Sequence, residues 1–327
     1  MSNILARHAE SAFWMARYME RAENLARILD VNETFARDST GAPDWLPIVQ
    51  LQADDEIFFE THPEATAEAV VGFYVLDRDN ANSIASSVYM ARENARALRH
   101  LLSTEMWTHL NVFHNRLDAL TAADIALPKL SSLCSTIKLD CQLHTGITEG
   151  TLHRDEHWYF YQIGKYLERA DQTTRLLDIK YHTLLPSPDA VGTPVDVSQW
   201  NALLRSVAAY HAFRRIHPYG MQPSAVAGFL LFNPDFPRSV QVCLGQVHEL
   251  VIGLGPVLGV RIPPSLMTAV ENLHAIAASG TIERVLVRGL HEHLDDVQLL
   301  IIDVAAALGR TFFGHRDGAS TATKPAA

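Results

Sequence analysis

Apolar side chains recur at helical spacing along nearly the whole chain. They lie three or four positions apart, and no segment alternates apolar and polar side chains convincingly for more than four or five residues, as a strand would. Glycines and prolines are few, which leaves long uninterrupted stretches that favour helix. The pattern predicts an all-α fold, a multi-helix bundle.

Helix breakers set the bounds of the predicted helices in the N-terminal part of the chain. Gly41 and Pro43 end the first helix, and Pro186 and Pro188 end the last, because proline lacks an N–H donor and clashes with the preceding turn. The predicted helices cover residues 4–37, 46–59, 64–74, 81–102, 105–120, 130–152 and 156–185.

A linker over 186–194 precedes the C-terminal helices. Ser198 is the expected cap of a helix ending near Arg215, and a Pro/Gly loop follows over 216–223. Asp235 and Pro237 are the expected cap and first turn of the next helix. Helices are predicted over 238–254, 264–279 and 290–313, and a frayed tail over 316–327.

One thirteen-residue pattern occurs twice, and we call its copies the first and second repeat. YMERAENLARILD runs from Tyr18 to Asp30, and YLERADQTTRLLD runs from Tyr166 to Asp178. The copies share Tyr, Glu, Arg, Ala, Arg, Leu and Asp at matching positions. The chain also exceeds the roughly 250–300 residues at which a single core stops growing. We therefore predict two pseudo-repeated halves, 1–153 and 154–315.

Each repeat has an apolar stripe, and the opposite face carries matching polar side chains. A surface exposed to solvent would be free to drift between two copies, so the match indicates a physical constraint. We call this set the polar ridge: Arg17, Glu20, Asn24 and Arg27 in the first repeat region, and Lys165, Glu168, Gln172 and Arg175 in the second.

Two interpretations of the polar ridge remain open. In the first, Glu20 and Glu168 hold the arginines in a buried ion-pair network, as buried charges require. In the second, the ridge lines a cavity for a small anionic or peptide ligand, because arginine binds carboxylate or phosphate in bidentate geometry. Arg21 and Arg169, at the edge of the stripe, belong to the same candidate site. Three arginines and one glutamate of a further segment are expected to join the network: Arg92, Glu93, Arg96 and Arg99.

The net charge of -10 argues against nucleic acid or an anionic membrane as the main partner, since both require a basic face. The N-terminus lacks the apolar core of a signal peptide. The best candidate for a membrane span, 299–308, is too short and contains Asp303. We expect a cytoplasmic protein.

Three cysteines without a CxxC pair predict neither a disulfide framework nor a zinc site, so Cys134, Cys141 and Cys243 are expected to be small buried residues.

A di-iron bundle needs two ExxH helices, and only Glu271 to His274 has that spacing. A second candidate cluster is explained equally well by the helix dipole: His291, His293, Asp295 and Asp296. We expect no metal and no cofactor, and nucleophile motifs such as GxSxG are missing.

The segment from Tyr210 to Tyr219 leads into the Pro/Gly loop with two arginines, Arg214 and Arg215. Arg238 adds a charge near a helix N-terminus, where free N–H groups suit anions. Ordinary salt bridging and an anion-binding surface are both open here.

Four segments together resemble the alpha-E domain family of bacterial all-helical proteins: FWMARYMERAENLARILD, MARENARALRHLLSTEMWTHLN, YFYQIGKYLERADQTTRLLDIKY and FLLFNPDFPRSV. The resemblance runs from about Ile4 to Phe313 and identifies Glu20–Arg21 and Glu168–Arg169 as the E-R pairs, without an assigned role. It implies association with circularly permuted ATP-grasp proteins and transglutaminase-like proteins. We therefore expect an accessory partner of an ATP-grasp peptide or amide ligase. The alternatives are a ligand-binding protein or enzyme using the polar ridge, and a metal-binding bundle.

Overall fold

The computed structural model describes residues 3–38, 44–184 and 194–315. Helices make up 78% of the chain, and the described residues form no strand, which confirms the all-α prediction. The breaker at Gly41 and Pro43, most of the linker and the tail lie outside the described residues.

The long helices match the sequence pattern closely, and several short ones break it. The helices up to the second repeat are α1 (Asn3–Asp38), α2 (Leu46–Gln52), α3 (Asp55–Thr61), α4 (Ala67–Val75), α5 (Ile84–Ala97), α6 (Thr104–Asp118), α7 (Leu127–Thr151) and α8 (Glu156–Leu184). Those that follow are α9 (Pro194–Ser206), α10 (Tyr210–Ile216), α11 (Pro223–Phe232), α12 (Val240–Leu258), α13 (Pro264–Ala278), α14 (Ile282–Arg288) and α15 (Leu290–Leu308). A π-helical turn, Gly309–Phe313, extends α15.

Two helices predicted as continuous are each split by a left-handed alanine. Ala53 has φ 56° between α2 and α3, and Ala208 has φ 57° between α9 and α10. The prediction of one helix over 46–59 and one over 198–215 was therefore wrong, and Ser198 lies inside α9 instead of capping a helix. Alanine is a strong helix former, so an alanine at these two positions does not predict a helix break.

The start of α12 also corrects the sequence prediction. Ser239 caps this helix by accepting a hydrogen bond from the Val242 N–H, while Asp235 and Pro237 lie before it. Serine caps of the same kind begin α5 at Ser83 and α6 at Ser103. Each side-chain oxygen satisfies an N–H that the helix leaves without a partner.

The chain divides into two compact units that are not consecutive halves. Unit 1 consists of residues 1–17, 153–178 and 212–327, and unit 2 consists of residues 18–152 and 179–211. Helices α1 and α8 therefore contribute residues to both units. The predicted division into repeated halves at 153 and 154 stays a prediction.

Unit 1 is built around aromatic side chains and the C-terminal helices. Phe13 packs against Phe313 with ring centroids 5.3 Å apart, and Phe160 packs against Phe312 at 5.2 Å. Helix α12 packs against α11 and α13, and α13 packs against α15.

Helix α12 is long and apolar enough to cross a membrane by length and composition, so the segment 299–308 is not the best candidate for a membrane span. A core helix passes the same test, and α12 buries eight residues among its neighbours.

Unit 2 packs α5 against α6 and α6 against α7. Its largest buried side chains include Trp200, Tyr74, Phe58 and Phe113. The cysteines Cys134 and Cys141 are free and buried here, and Cys243 is free and buried in unit 1, which confirms the expectation for all three. Burial raises the pKa of the Cys134 thiol to about 12 and raises that of Cys141 as well.

Candidate functional site

Most of the polar ridge is buried. Glu20 is 4% exposed and Glu168 is 0% exposed, and three further ridge side chains are buried: Asn24, Lys165 and Gln172. The ridge arginines Arg17, Arg27 and Arg175 are half-buried. Burial explains why these positions match between the repeats, because a buried charge requires a fixed partner.

In unit 1, an ion pair joins α1 to the second repeat. The Arg17 Nε donates a hydrogen bond to Glu168 Oε2 at 2.7 Å. The Gln172 Nε2 donates to the other carboxylate oxygen, Oε1, at 3.2 Å. The Arg17 guanidinium also lies over the Trp14 ring, 4.8 Å from its centroid. One ridge residue of α8, Glu168, thus holds an arginine that precedes the first repeat, and a second, Gln172, orients that carboxylate.

The backbones of α1 and α8 approach closely beside this pair. A Cβ atom added to Gly164 would lie 2.3 Å from the Phe13 carbonyl oxygen. Only glycine permits such an approach. The tight crossing brings the Arg17 side chain within reach of the buried Glu168 carboxylate.

The other ridge arginines bind acids inside their own repeat. The Arg27 Nη2 lies 2.6 Å from Glu23 Oε1, and the Arg175 Nε lies 2.9 Å from Asp171 Oδ2. Glu23 and Asp171 are buried and were missed as site residues. The signal was present in the sequence, since an acid four positions before an arginine is a known helix pair.

Arg21, the arginine of the first E-R pair, belongs to a buried network in unit 2. Its Nη1 donates to Asn82 Oδ1 at 3.0 Å, and Asn82 Nδ2 donates to Asp54 Oδ1 at 2.8 Å. The Tyr74 hydroxyl donates to the other Asp54 oxygen at 3.1 Å. Burial raises the pKa of Asp54 and that of Tyr74. Arg21 thereby ties α1 to the segments before α3 and before α5.

The last acid of each repeat anchors a different helix. Asp30 accepts hydrogen bonds from Ser131 Oγ at 2.6 Å and from Lys138 Nζ at 2.5 Å, both on α7. Asp178 lies 2.9 Å from the Nδ1 of His291 on α15. The hydrogen bond that His291 donates to the Asp178 carboxylate raises the pKa of His291.

The charged segment on α5 forms a network of its own. Arg92 and Arg96 both pair with Glu93, and Arg92 Nε donates to Asn111 on α6 at 2.8 Å. Arg99 lies over the Trp107 ring at 5.7 Å. None of these contacts involves α1 or α8, so the expectation that this segment joins the polar ridge was wrong.

Two groups of potential metal ligands occur among the described residues. Asp155, Glu156 and His157 lie at the start of α8, where Asp155 accepts from two backbone N–H groups as a helix cap does. The second group is Asp178, His291 and Asp295. In it the imidazole of His291 lies between the two carboxylates and pairs with both. Neither group includes Glu271 or His274.

The structure separates the remaining members of the second predicted cluster. His293 is buried, with its ring 6.0 Å from that of Phe232, and Asp296 pairs with Arg288. His274, from the single ExxH, stacks on His248 with ring centroids 4.4 Å apart. The described residues therefore do not assemble the four-carboxylate arrangement of a di-iron bundle.

Of the three predicted anion-binding arginines, all in unit 1, two lie beside the Pro/Gly loop. Arg214 and Arg215 end α10, and neither forms an ion pair with a described residue. Arg238 precedes α12, and its carbonyl oxygen accepts a hydrogen bond from Thr173 of the second repeat at 3.4 Å. A surface depression of about 320 Å³ lies elsewhere, lined by Glu283, Arg284, Val287 and Arg288.

The comparisons with known proteins decide the family. The family named Alpha-E, described as a predicted alpha-helical domain with a conserved ER motif, matches residues 4–313. The chain belongs to the Alpha-E family. The resemblance drawn from the sequence assigns the ER motif to Glu20–Arg21 and Glu168–Arg169, and both of these glutamates are buried.

The relatives give no activity. Uncharacterized proteins of Mycobacterium bovis and Mycobacterium tuberculosis are 24% identical over 332 aligned positions, which cover 90% of this chain and 36% of each relative. The chain therefore spans about a third of the length of the curated relatives it matches. No solved structure matches the chain.

Proposed function

We propose that this Alpha-E protein is a helical accessory protein that binds an ATP-grasp-type peptide or amide ligase. The observation that carries the proposal is the full burial of Glu168, whose two oxygens accept from Arg17 and Gln172. The motif that characterises the family thus fixes helices against one another. Because the motif stabilises the fold and lies away from solvent, it offers no catalytic cleft. Binding of a partner protein through another surface is then the simplest function.

The burial of the polar ridge disfavours the ligand-binding alternative. A group that binds a small anion or transfers a proton must reach that molecule within hydrogen-bond distance. Glu168 has no exposed surface, and the Arg17 guanidinium is already held by it. A ligand at this place would have to separate α1 from α8 and break a buried ion pair, which costs about 3–5 kcal/mol.

The longer relatives support a role beside other protein segments. In the mycobacterial proteins the matching region is 36% of a longer chain, so the domain occurs joined to further polypeptide. The choice of an ATP-grasp ligase as partner rests on the family resemblance. We also propose a cytoplasmic location, which the three free buried thiols support, since cytoplasmic proteins keep cysteines reduced.

The test is complex formation with the ATP-grasp ligase of the same organism. We expect the purified full chain and the ligase to elute together in size-exclusion chromatography, with a mass by light scattering equal to the sum of both. An unrelated acidic protein of similar size serves as the control. Separate elution at every concentration tested contradicts the proposal.

A second measurement distinguishes the accessory role from catalysis at the ridge. Glu20→Gln and Glu168→Gln variants that remain folded are added to the ligase, and ATP-dependent product formation is followed. We expect stimulation by the variants to match that of the native chain. Loss of product formation with an unchanged complex would instead assign chemistry to the ridge.

A further inference from the structure

The loop between α10 and α11 presents apolar side chains to solvent. Tyr219 is 96% exposed and Ile216 is 52% exposed. A tyrosine with almost no contact to its own chain contributes little to folding, because burial of apolar area is what stabilises a fold. Tyrosine is enriched among the residues that dominate protein interfaces.

The ends of this loop are firmly anchored in unit 1. Phe213 is fully buried, stacks on His217 with centroids 4.7 Å apart, and contacts Phe229 edge-on at 5.5 Å. The His217 N–H donates to the Phe213 carbonyl oxygen at 2.8 Å, and Met221 is buried on the other side of the tip.

Proline restricts the backbone on one side of the tip. Pro218 fixes its own φ before Tyr219, while Gly220 follows with φ 90°, a conformation that other residues rarely adopt. The fixed φ of Pro218 lowers the ordering entropy that binding costs at that position. The tip is therefore suited to insert Tyr219 into a partner.

The charge around the tip identifies the chemistry of that partner. Arg214 and Arg215 lie at the base of the loop without an ion pair among the described residues, on a chain of net charge -10. Cations at a helix C-terminus are stabilised by the helix dipole, but that effect does not require exposed Ile216 and Tyr219 nearby. Two cations that form no ion pair with a described residue, beside an exposed tyrosine, fit a pocket with carboxylates at its rim.

We propose that the Ile216–Gln222 loop is the docking element for the ligase, with Tyr219 entering an apolar pocket and Arg214 and Arg215 pairing with acidic groups around it. This inference rests on the proposed function and names the surface that performs it. A small anion alone would engage the arginines and leave Ile216 and Tyr219 unused.

The experiment measures binding of the full chain to the ATP-grasp ligase by biolayer interferometry. Tyr219→Ala is expected to weaken binding about 30-fold, the effect of an interface hot spot of about 2 kcal/mol. The double variant Arg214→Glu/Arg215→Glu is expected to slow association and to reduce its salt dependence. Val287→Ala, at another highly exposed apolar residue, is the matched control and is expected to bind as the native chain does.

Each outcome decides a separate point. Because Tyr219 is outside the core, its variant should keep the native melting temperature, so weaker binding reports the interface. If the native chain binds and Tyr219→Ala binds equally well, the docking loop is overturned while the proposed function stands. An effect of the arginine variants alone marks an anion patch and also overturns it. If the native chain does not bind the ligase, both proposals fail.

Discussion

The Arg17 guanidinium donates to the fully buried Glu168 carboxylate across the crossing of α1 and α8, at 2.7 Å. Glu168 is a member of an E-R pair of the Alpha-E family, and Arg17 lies one position before the first repeat. The contact thus joins the second repeat, on α8, to the residue that precedes the first repeat, on α1. It gives the motif a structural role that stability measurements can test.

Arg17→Met should destabilise the protein by about 3 kcal/mol, because it removes a cation that pairs with a buried carboxylate. The double variant Arg17→Met/Glu168→Gln should recover part of this loss, since both charges are then absent. Urea denaturation followed by circular dichroism measures the free energy of unfolding. Arg78→Met removes a half-exposed pair with Asp118 and is the control, with an expected cost below about 1 kcal/mol. An equal cost for both single variants would contradict the structural role.

Gly164→Ala should destabilise the protein by about 3 kcal/mol or more, because the new methyl group meets the Phe13 carbonyl oxygen. Gly146→Ala is the matched control within another long helix, where an added Cβ meets nothing within 4 Å. That variant should stabilise the protein by about 0.5–1 kcal/mol through helix propensity. Thermal melts of both variants give the comparison, and a stabilising Gly164→Ala would show that the helices are farther apart.

Arg21→Ala should cost about 1–3 kcal/mol, since it removes a hydrogen-bond donor from the network of half-buried Asn82 and buried Asp54. Asn82→Ala should cost a similar amount, and the two losses should be less than additive because both variants break one network. A double-mutant cycle in urea measures the coupling. Arg96→Ala on α5, where the arginine is largely exposed, should change stability by less than about 0.5 kcal/mol.

The stability of unit 2 should fall in acid through His144. Burial, and then the neighbouring His109, lower the pKa of His144 from 6.5 to about 3. The unfolded chain therefore takes up a proton below pH 6.5 while the folded chain does not. The free energy of unfolding should decrease by about 1.4 kcal/mol for each pH unit from this group over that window.

His144→Phe should remove this contribution and flatten the pH dependence of unfolding. His153, which is exposed, gives the control: His153→Phe should leave the slope unchanged. Urea titrations between pH 7 and pH 4 supply the data. Equal slopes for the native chain and His144→Phe would show that the imidazole is charged or solvated in the fold.

The sequence predicted the long helices well because their apolar periodicity is strong. Helix α1 was expected over 4–37 and spans Asn3–Asp38. Helix α11 was missed, since it is apolar on nearly every side and shows no period, and α14 was missed because it has only seven residues. The breaks at Ala53 and Ala208 depend on tertiary packing, which overrides the helix propensity of alanine.

The role of the polar ridge as a site stays a prediction, and its contacts were only partly readable from the sequence. The matching polar positions indicated a constraint at Glu20 and Glu168, and both side chains are buried. The pairing of Arg17 with Glu168 depends on how closely α1 approaches α8, which no local pattern encodes. The pairing of Arg27 with Glu23 was readable from spacing alone.

Both repeats end in an aspartate, and the two aspartates pair with different bases. Asp30 pairs with Lys138, and Asp178 pairs with His291. Histidine at Asp178 gains its charge as the medium acidifies, and its raised pKa means that the tie is strongest below pH 6.5 and weakens as alkalinity grows. Of the two contacts, the one that ends the second repeat therefore responds to protons.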